Sequence, residues 1–102
     1  MVGVTTPDLD AVLAQMWAGF VPLARSRVAA LEQWLEAHDA GHDDVDLRAA
    51  AAVAAHKLAG ALGSYGRAGS EDASALEVLL RGPVTAAQAR PYVVALRSTV
   101  DA

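Results

Sequence analysis

Between Asp46 and Leu62 the chain is alanine, interrupted only by Leu47, Arg48, Val53, His56, Lys57, Leu58 and Gly60. Alanine has the highest intrinsic helix propensity, and no β-branched run competes with it here. Within this stretch Leu47, Ala51, Ala54, Leu58 and Ala61 or Leu62 recur three and four residues apart, which makes one apolar stripe on a helix. Apolar residues make up 54% of the whole chain and aromatics only 5%, so alanine carries much of the apolar content and the composition favours an all-helical fold. At 102 residues the chain is long enough for one domain with a modest core, spanning 1–102.

The other segments read the same way. Thr6 as N-cap, Pro7 at the first helical position, and Asp8 and Asp10 in the first turn mark a helix start. Leu9, Leu13, Met16 and Phe20 then form an apolar stripe. Pro22 predicts either a kink or a short first helix ending near Phe20. The next stretch places Leu23, Arg27 or Val28, Leu31 and Trp34 or Leu35 inside and ends near His38. Ala40-Gly41-His42-Asp43-Asp44 is a polar turn with Gly41 as a candidate C-cap. Gly63, Gly66 and Gly69 mark a further connection. The following helix ends near Arg81 and buries Ala73, Leu76, Leu79 and Leu80, and Gly82-Pro83 stops it. Thr85 and Gln88 are spaced as a capping box for a last helix whose apolar side is Tyr92, Val93, Leu96 and Val100. Pro91 inside it predicts a kink, or a false start at Thr85. Short loops between amphipathic helices imply antiparallel neighbours. The expected fold is an up-down antiparallel four-helix bundle with an additional N-terminal helix or a kinked first helix.

Charge and cysteine content exclude several functions. The net charge is −4 with the charges scattered, so there is no basic footprint for nucleic acid. No cysteine is present, which removes disulfides, iron–sulfur clusters and thiolate zinc sites and suits a cytoplasmic location. Charged residues break every apolar run short of the ~20 residues of a membrane span, so no membrane partner is expected. The N-terminus lacks the pattern of a secretory leader, and Met1 suits a free-standing protein. His38, His42, Asp39, Asp43, Asp44 and Asp46 are metal-ligand types, but the expectation for that loop is a solvated acidic turn and no metal site. Trp17 and Trp34 are expected in the core or at helix ends.

One residue of the alanine helix admits a functional reading beside the plain one of an ordinary exposed helix histidine. Successive helical residues turn by about 100°, so His56 points roughly 160° away from Leu58, the best core residue. Its surface neighbours are Ala52, Val53, Ala59 and Gly60, with Ala49 and Gly63 one turn further out. A lone imidazole is thus presented on a face of very small side chains. Glycine inside a helix costs about 1 kcal/mol relative to alanine, so Gly60 suggests that even a methyl would obstruct an approaching partner. The competing reading of Gly60 and Gly63 is close packing against another helix of this chain.

The run His56-Lys57-Leu58-Ala59-Gly60, followed by Gly63-Ser64-Tyr65-Gly66, resembles the signature of the histidine-containing phosphotransfer (HPt) domains of two-component phosphorelays. The glycines four and ten residues after the histidine match, and the order of helices matches over essentially the whole chain. The resemblance implies that His56 is a phosphoacceptor, with Lys57, Gly60 and Arg67 as neighbours of the phosphoryl site. It implies a docking surface of Ala49, Ala52, Val53, Ala59, Gly60, Gly63 and Ser64. The implied partner is the receiver domain of a response regulator or hybrid kinase, with a sensor histidine kinase as a further candidate. That receiver would supply the aspartyl phosphate and the Mg²⁺, and this chain no cofactor. The implied role is a phosphotransfer intermediate without turnover of its own, not an enzyme. The family usually carries a lysine three residues after the histidine, where this chain has Ala59. The alternative is therefore an HPt-like module that docks a receiver or another helical protein without being phosphorylated. By default Lys57 and Arg67 are solvated charges. An imidazole suits the transferring role because its ordinary pKa, near ~6.5, leaves a good fraction neutral and nucleophilic at neutral pH.

Overall fold

The computed structural model describes residues 8–102 and consists of four helices: α1 Leu9–Asp39, α2 Val45–Ser64, α3 Ser70–Leu80 and α4 Ala86–Asp101. Thr6 and Pro7, expected to open the first helix, lie outside the described residues. Asp8, expected in the first turn, is the N-cap of α1, its carboxylate accepting from the Asp10 N–H at 3.1 Å.

Each helix packs on the next and α1 also packs on α4, so the four close into an up-down-up-down bundle. Cross-helix contacts fix the antiparallel register. Between α1 and α4, Arg90 meets Asp39 at 3.1 Å, Arg97 donates to Glu32 at 3.1 Å, and Arg25 donates to Asp101 at 3.0 Å. Between α2 and α3, the Ser70 hydroxyl donates to the Ala59 carbonyl at 2.8 Å and Arg48 Nε donates to the Leu80 carbonyl at 2.8 Å. The core is built from Trp17, Val28, Leu31, Trp34, Leu58, Leu62, Leu76, Leu80, Leu96 and Val100, together with buried alanines such as Ala51, Ala55 and Ala73. Both tryptophans are core residues, as expected.

The N-terminal stretch is one helix rather than two. Helix α1 runs through Pro22, which is exposed, as is Ala18, whose carbonyl loses its helical donor and can turn to water. Continuity also sets which face is buried. The phase fixed by Trp17 passes through Ala24, Val28, Leu31 and Leu35, all buried. Leu9, Met16 and Leu23 sit roughly 80–120° off that line by helix geometry. They are 67%, 54% and 47% exposed, so their expected place in the core is corrected. In α4, Pro91 likewise lies inside the helix on the exposed side, and Thr85 is its true start. The capping box forms in full: Gln88 N–H donates to Thr85 Oγ1 at 3.1 Å, and Thr85 N–H donates to Gln88 Oε1 at 2.9 Å.

The α1–α2 and α2–α3 connections use one device. Gly41 and Gly66 follow the last helical turns in the left-handed region, at φ +87° and +66°. In each, the next residue reaches back over the helix end, His42 N–H to the Ala37 carbonyl and Arg67 N–H to the Leu62 carbonyl, both at 2.8 Å. This is the Schellman closure, which satisfies carbonyls that a helix end otherwise leaves open. It stops α2 sharply at Ser64, two turns past His56.

Candidate functional site

His56 lies on the solvent face of α2, its side chain 71% exposed, while Leu58 on the opposite side is fully buried. The ring is nevertheless held. Its Nδ1 lies 3.0 Å from Glu77 Oε1 on α3. A carboxylate can only accept, so Nδ1 carries the proton and donates, and Nε2 bears the lone pair whenever the ring is neutral. The partner thereby selects both the tautomer and the ring orientation.

Glu77 is itself clamped from the other side. Arg81, the C-cap residue one turn beyond Glu77 at the end of α3, donates to Glu77 Oε2 through Nε at 2.9 Å and Nη2 at 2.8 Å. The carboxylate therefore bridges the imidazole and a guanidinium, one oxygen each. These contacts hold the Glu77 carboxyl below its ordinary pKa, the hydrogen bond from His56 contributing most and that from Arg81 next. A carboxyl depressed on folding contributes stability above its unfolded pKa and loses it as pH falls through the lower folded value.

The residues expected to form a docking surface differ in exposure. Ala49, Val53, Gly60, Gly63 and Ser64 are exposed, and Ala59 is half-buried. Ala52 is corrected: it is 5% exposed and belongs to the interface beneath the surface. The glycines separate into two kinds. A Cβ built on Gly60 would meet nothing within 4 Å, so no neighbour in this chain requires a glycine there. A Cβ on Gly63 would stand 3.4 Å from Ser70 Oγ, which fits close approach of α3 at that point.

The expected cations divide as well. Lys57 is exposed and lies about 100° round the helix from His56. Arg67 is not beside the ring. Its guanidinium lies over the Trp17 ring, 5.1 Å from the centroid, beyond the end of α2. From His56 to Ser64 the helix alone rises about 12 Å. A cation–π contact with a buried aromatic accounts for Arg67.

Glu77 and Arg81 were not singled out in the sequence. Their pairing with His56 depends on the register of α3 against α2, across 21 residues of chain. One signal was present. On α3, Glu77 falls only about 40° from Ala73, placing a carboxylate at the edge of the apolar stripe. Its side chain is 19% exposed, which is low for a glutamate without a purpose.

His38, in the last turn of α1 before the acidic turn, is engaged within the bundle. His38 stacks on Trp34 at 5.0 Å between centroids, and its Nε2 donates to the Val84 carbonyl at 2.9 Å. Among the described residues no three His, Asp or Glu side chains gather as a metal site, and no helix is long and apolar enough to cross a membrane. Comparisons with models of known families, with curated proteins and with solved structures find no match to this chain.

Proposed function

We propose that this chain is a phosphorelay intermediate that accepts a phosphoryl group on Nε2 of His56 from an aspartyl phosphate and passes it to another aspartate. The observation that carries this reading is the arrangement at His56: an exposed ring whose Nδ1–H is committed to Glu77, leaving Nε2 as the free nucleophilic nitrogen.

The chemistry follows from that arrangement. The Nε2 lone pair forms the N–P bond as the P–O bond to the partner's aspartate breaks, and the carboxylate leaves with the electron pair. Nδ1 keeps its proton, so the ring becomes a phosphorylated imidazolium with its positive charge facing Glu77. The carboxylate stabilises the product it helped to orient. A cationic ring is also a good leaving group, which suits onward transfer. Phosphoryl transfer depends mostly on alignment and charge neutralisation, so a rigid nucleophile on a smooth face is a sufficient contribution from one partner. Following the resemblance, the partner is a receiver domain that brings its own Mg²⁺. The exposed Gly60 backbone leaves room for it to approach.

A second reading keeps the surface and drops the chemistry. Ala59 stands where the family has lysine and offers no cation on that side of the ring, which favours a module that docks without being phosphorylated. Incubation with a ³²P-labelled receiver domain separates the two. Transfer predicts acid-labile, base-stable label on the wild-type chain and none on His56→Gln. Binding of the receiver with label on neither chain supports docking alone.

A further inference from the structure

The proposed chemistry lacks one component: a cation of this chain for the phosphoryl oxygens. Ala59 cannot supply it, and Arg67 is engaged on Trp17. Resting on the phosphotransfer reading of His56, we propose that Arg81 is the phosphoryl-binding residue, reaching the site from α3 rather than from the histidine's own helix.

Three observations support this. Arg81 and His56 already share one carboxylate, Arg81 on Oε2 and His56 on Oε1 of Glu77, so both side chains converge on the same few ångströms of surface. Its side chain is 57% exposed, and its two bonds to Glu77 use only Nε and Nη2 of a fork that offers five N–H donors. The remaining donors are uncommitted and are the ones that would take phosphoryl oxygens once the ring is phosphorylated.

The direction is also right. Helical side chains lean toward the N-terminus, so His56 leans over the turn containing Ala52 and Val53. A shallow concavity begins on that side, lined by Ala49, Ala52, Leu80 and Arg81, with Val45 and Arg48 at its far end. Arg48 donates to the carbonyls of Leu80 and Gly82 and so ties the end of α3 to α2. That tie fixes the base from which Arg81 extends.

Electrostatics supplies the driving force. At rest, Arg81 faces the single charge of Glu77. A phosphoryl group on His56 adds about −2 nearby, and guanidinium–phosphoryl pairs are among the stronger charge-assisted hydrogen bonds. No proton moves to or from Arg81 in this step. It neutralises charge on oxygens while the N–P bond forms at Nε2.

The test uses the full chain with phosphoramidate as donor, whose P–N bond breaks with loss of ammonia as His56 is labelled. Arg81→Ala is expected to label about tenfold more slowly, the size of one charge-assisted hydrogen bond. Arg81→Lys is expected to recover part of that loss. Imidazole ¹⁵N spectra of each variant report whether Nδ1–H still donates to Glu77. Equal labelling rates for wild type and Arg81→Ala would overturn the inference and leave the phosphotransfer reading standing. Slower labelling with loss of the Nδ1 contact would also overturn it, since Arg81 would then act only by holding Glu77. Absence of label on wild-type His56 would remove the reading and the inference together.

Discussion

At the scale of single residues, the difference between an exposed histidine and a positioned one is its partner. Nearly three-quarters of the His56 side chain is open to solvent, yet its ring is fixed by a carboxylate from another helix. The sequence made the imidazole, its small-residue surroundings and the opposed Leu58 legible, because all lie on one helix with a known turn per residue. It hid Glu77 and Arg81, because their proximity depends on how two helices slide against each other. Gly60 allows a sharp test at this scale. With nothing within 4 Å of a Cβ, Gly60→Ala is expected to raise stability by about 0.5–1 kcal/mol, since it relieves the entropy cost of glycine in a helix. Thermal melting of the variant checks this. The larger Gly60→Gln is expected to fold normally and to slow transfer from a receiver domain. Transfer at the wild-type rate would show that the bare backbone is not needed for docking.

At the scale of elements, the sequence leaves a kinked first helix or a separate short one open at Pro22, and α1 is one continuous helix. Two prolines each predict a kink or a break, but proline ends a helix only where the lost hydrogen bond and the ring cannot be accommodated. Pro22 and Pro91 both face solvent, where water can serve the orphaned carbonyl. Because α1 is not re-phased at Pro22, Leu23 turns outward and Ala24 turns in. The helix ends, by contrast, were readable, since the left-handed glycines and the Thr85 capping box act through neighbours in sequence. The α2–α3 turn yields an ordered prediction. Gly66→Ala pays mainly for a left-handed φ of +66°, because a Cβ there would meet only Leu13 Cδ1 at 4.0 Å. Gly69→Ala meets a φ of +102° and also crowds Leu62 Cδ1 at 3.3 Å and Thr99 Cγ2 at 3.4 Å. The first is expected to cost about 1–2 kcal/mol and the second more, read as successive drops in melting temperature. Equal losses would show that crowding at Gly69 is relieved by small shifts of the neighbouring side chains.

At the scale of the whole molecule, the bundle acts as a mount. Its core is alanine-rich and its helices approach closely, so α3 lies near enough to α2 for a glutamate to reach across to His56. The face of α2 around His56 stays an even exposed surface of Ala49, Val53, Gly60 and Ser64. The fold class and the chain order of the helices followed from periodicity and loop length, whereas the site became complete only once α2 and α3 were seen in register. The central claim is that this register commits Nδ1 of His56 and leaves Nε2 to take the phosphoryl group. Heteronuclear ³¹P–¹⁵N correlation on the chain phosphorylated by a receiver domain tests it most directly. The account predicts one phosphorus resonance, coupled to Nε2 of His56, with Nδ1 still protonated and hydrogen-bonded. Phosphorus bonded to Nδ1, or to any residue other than His56, would contradict it.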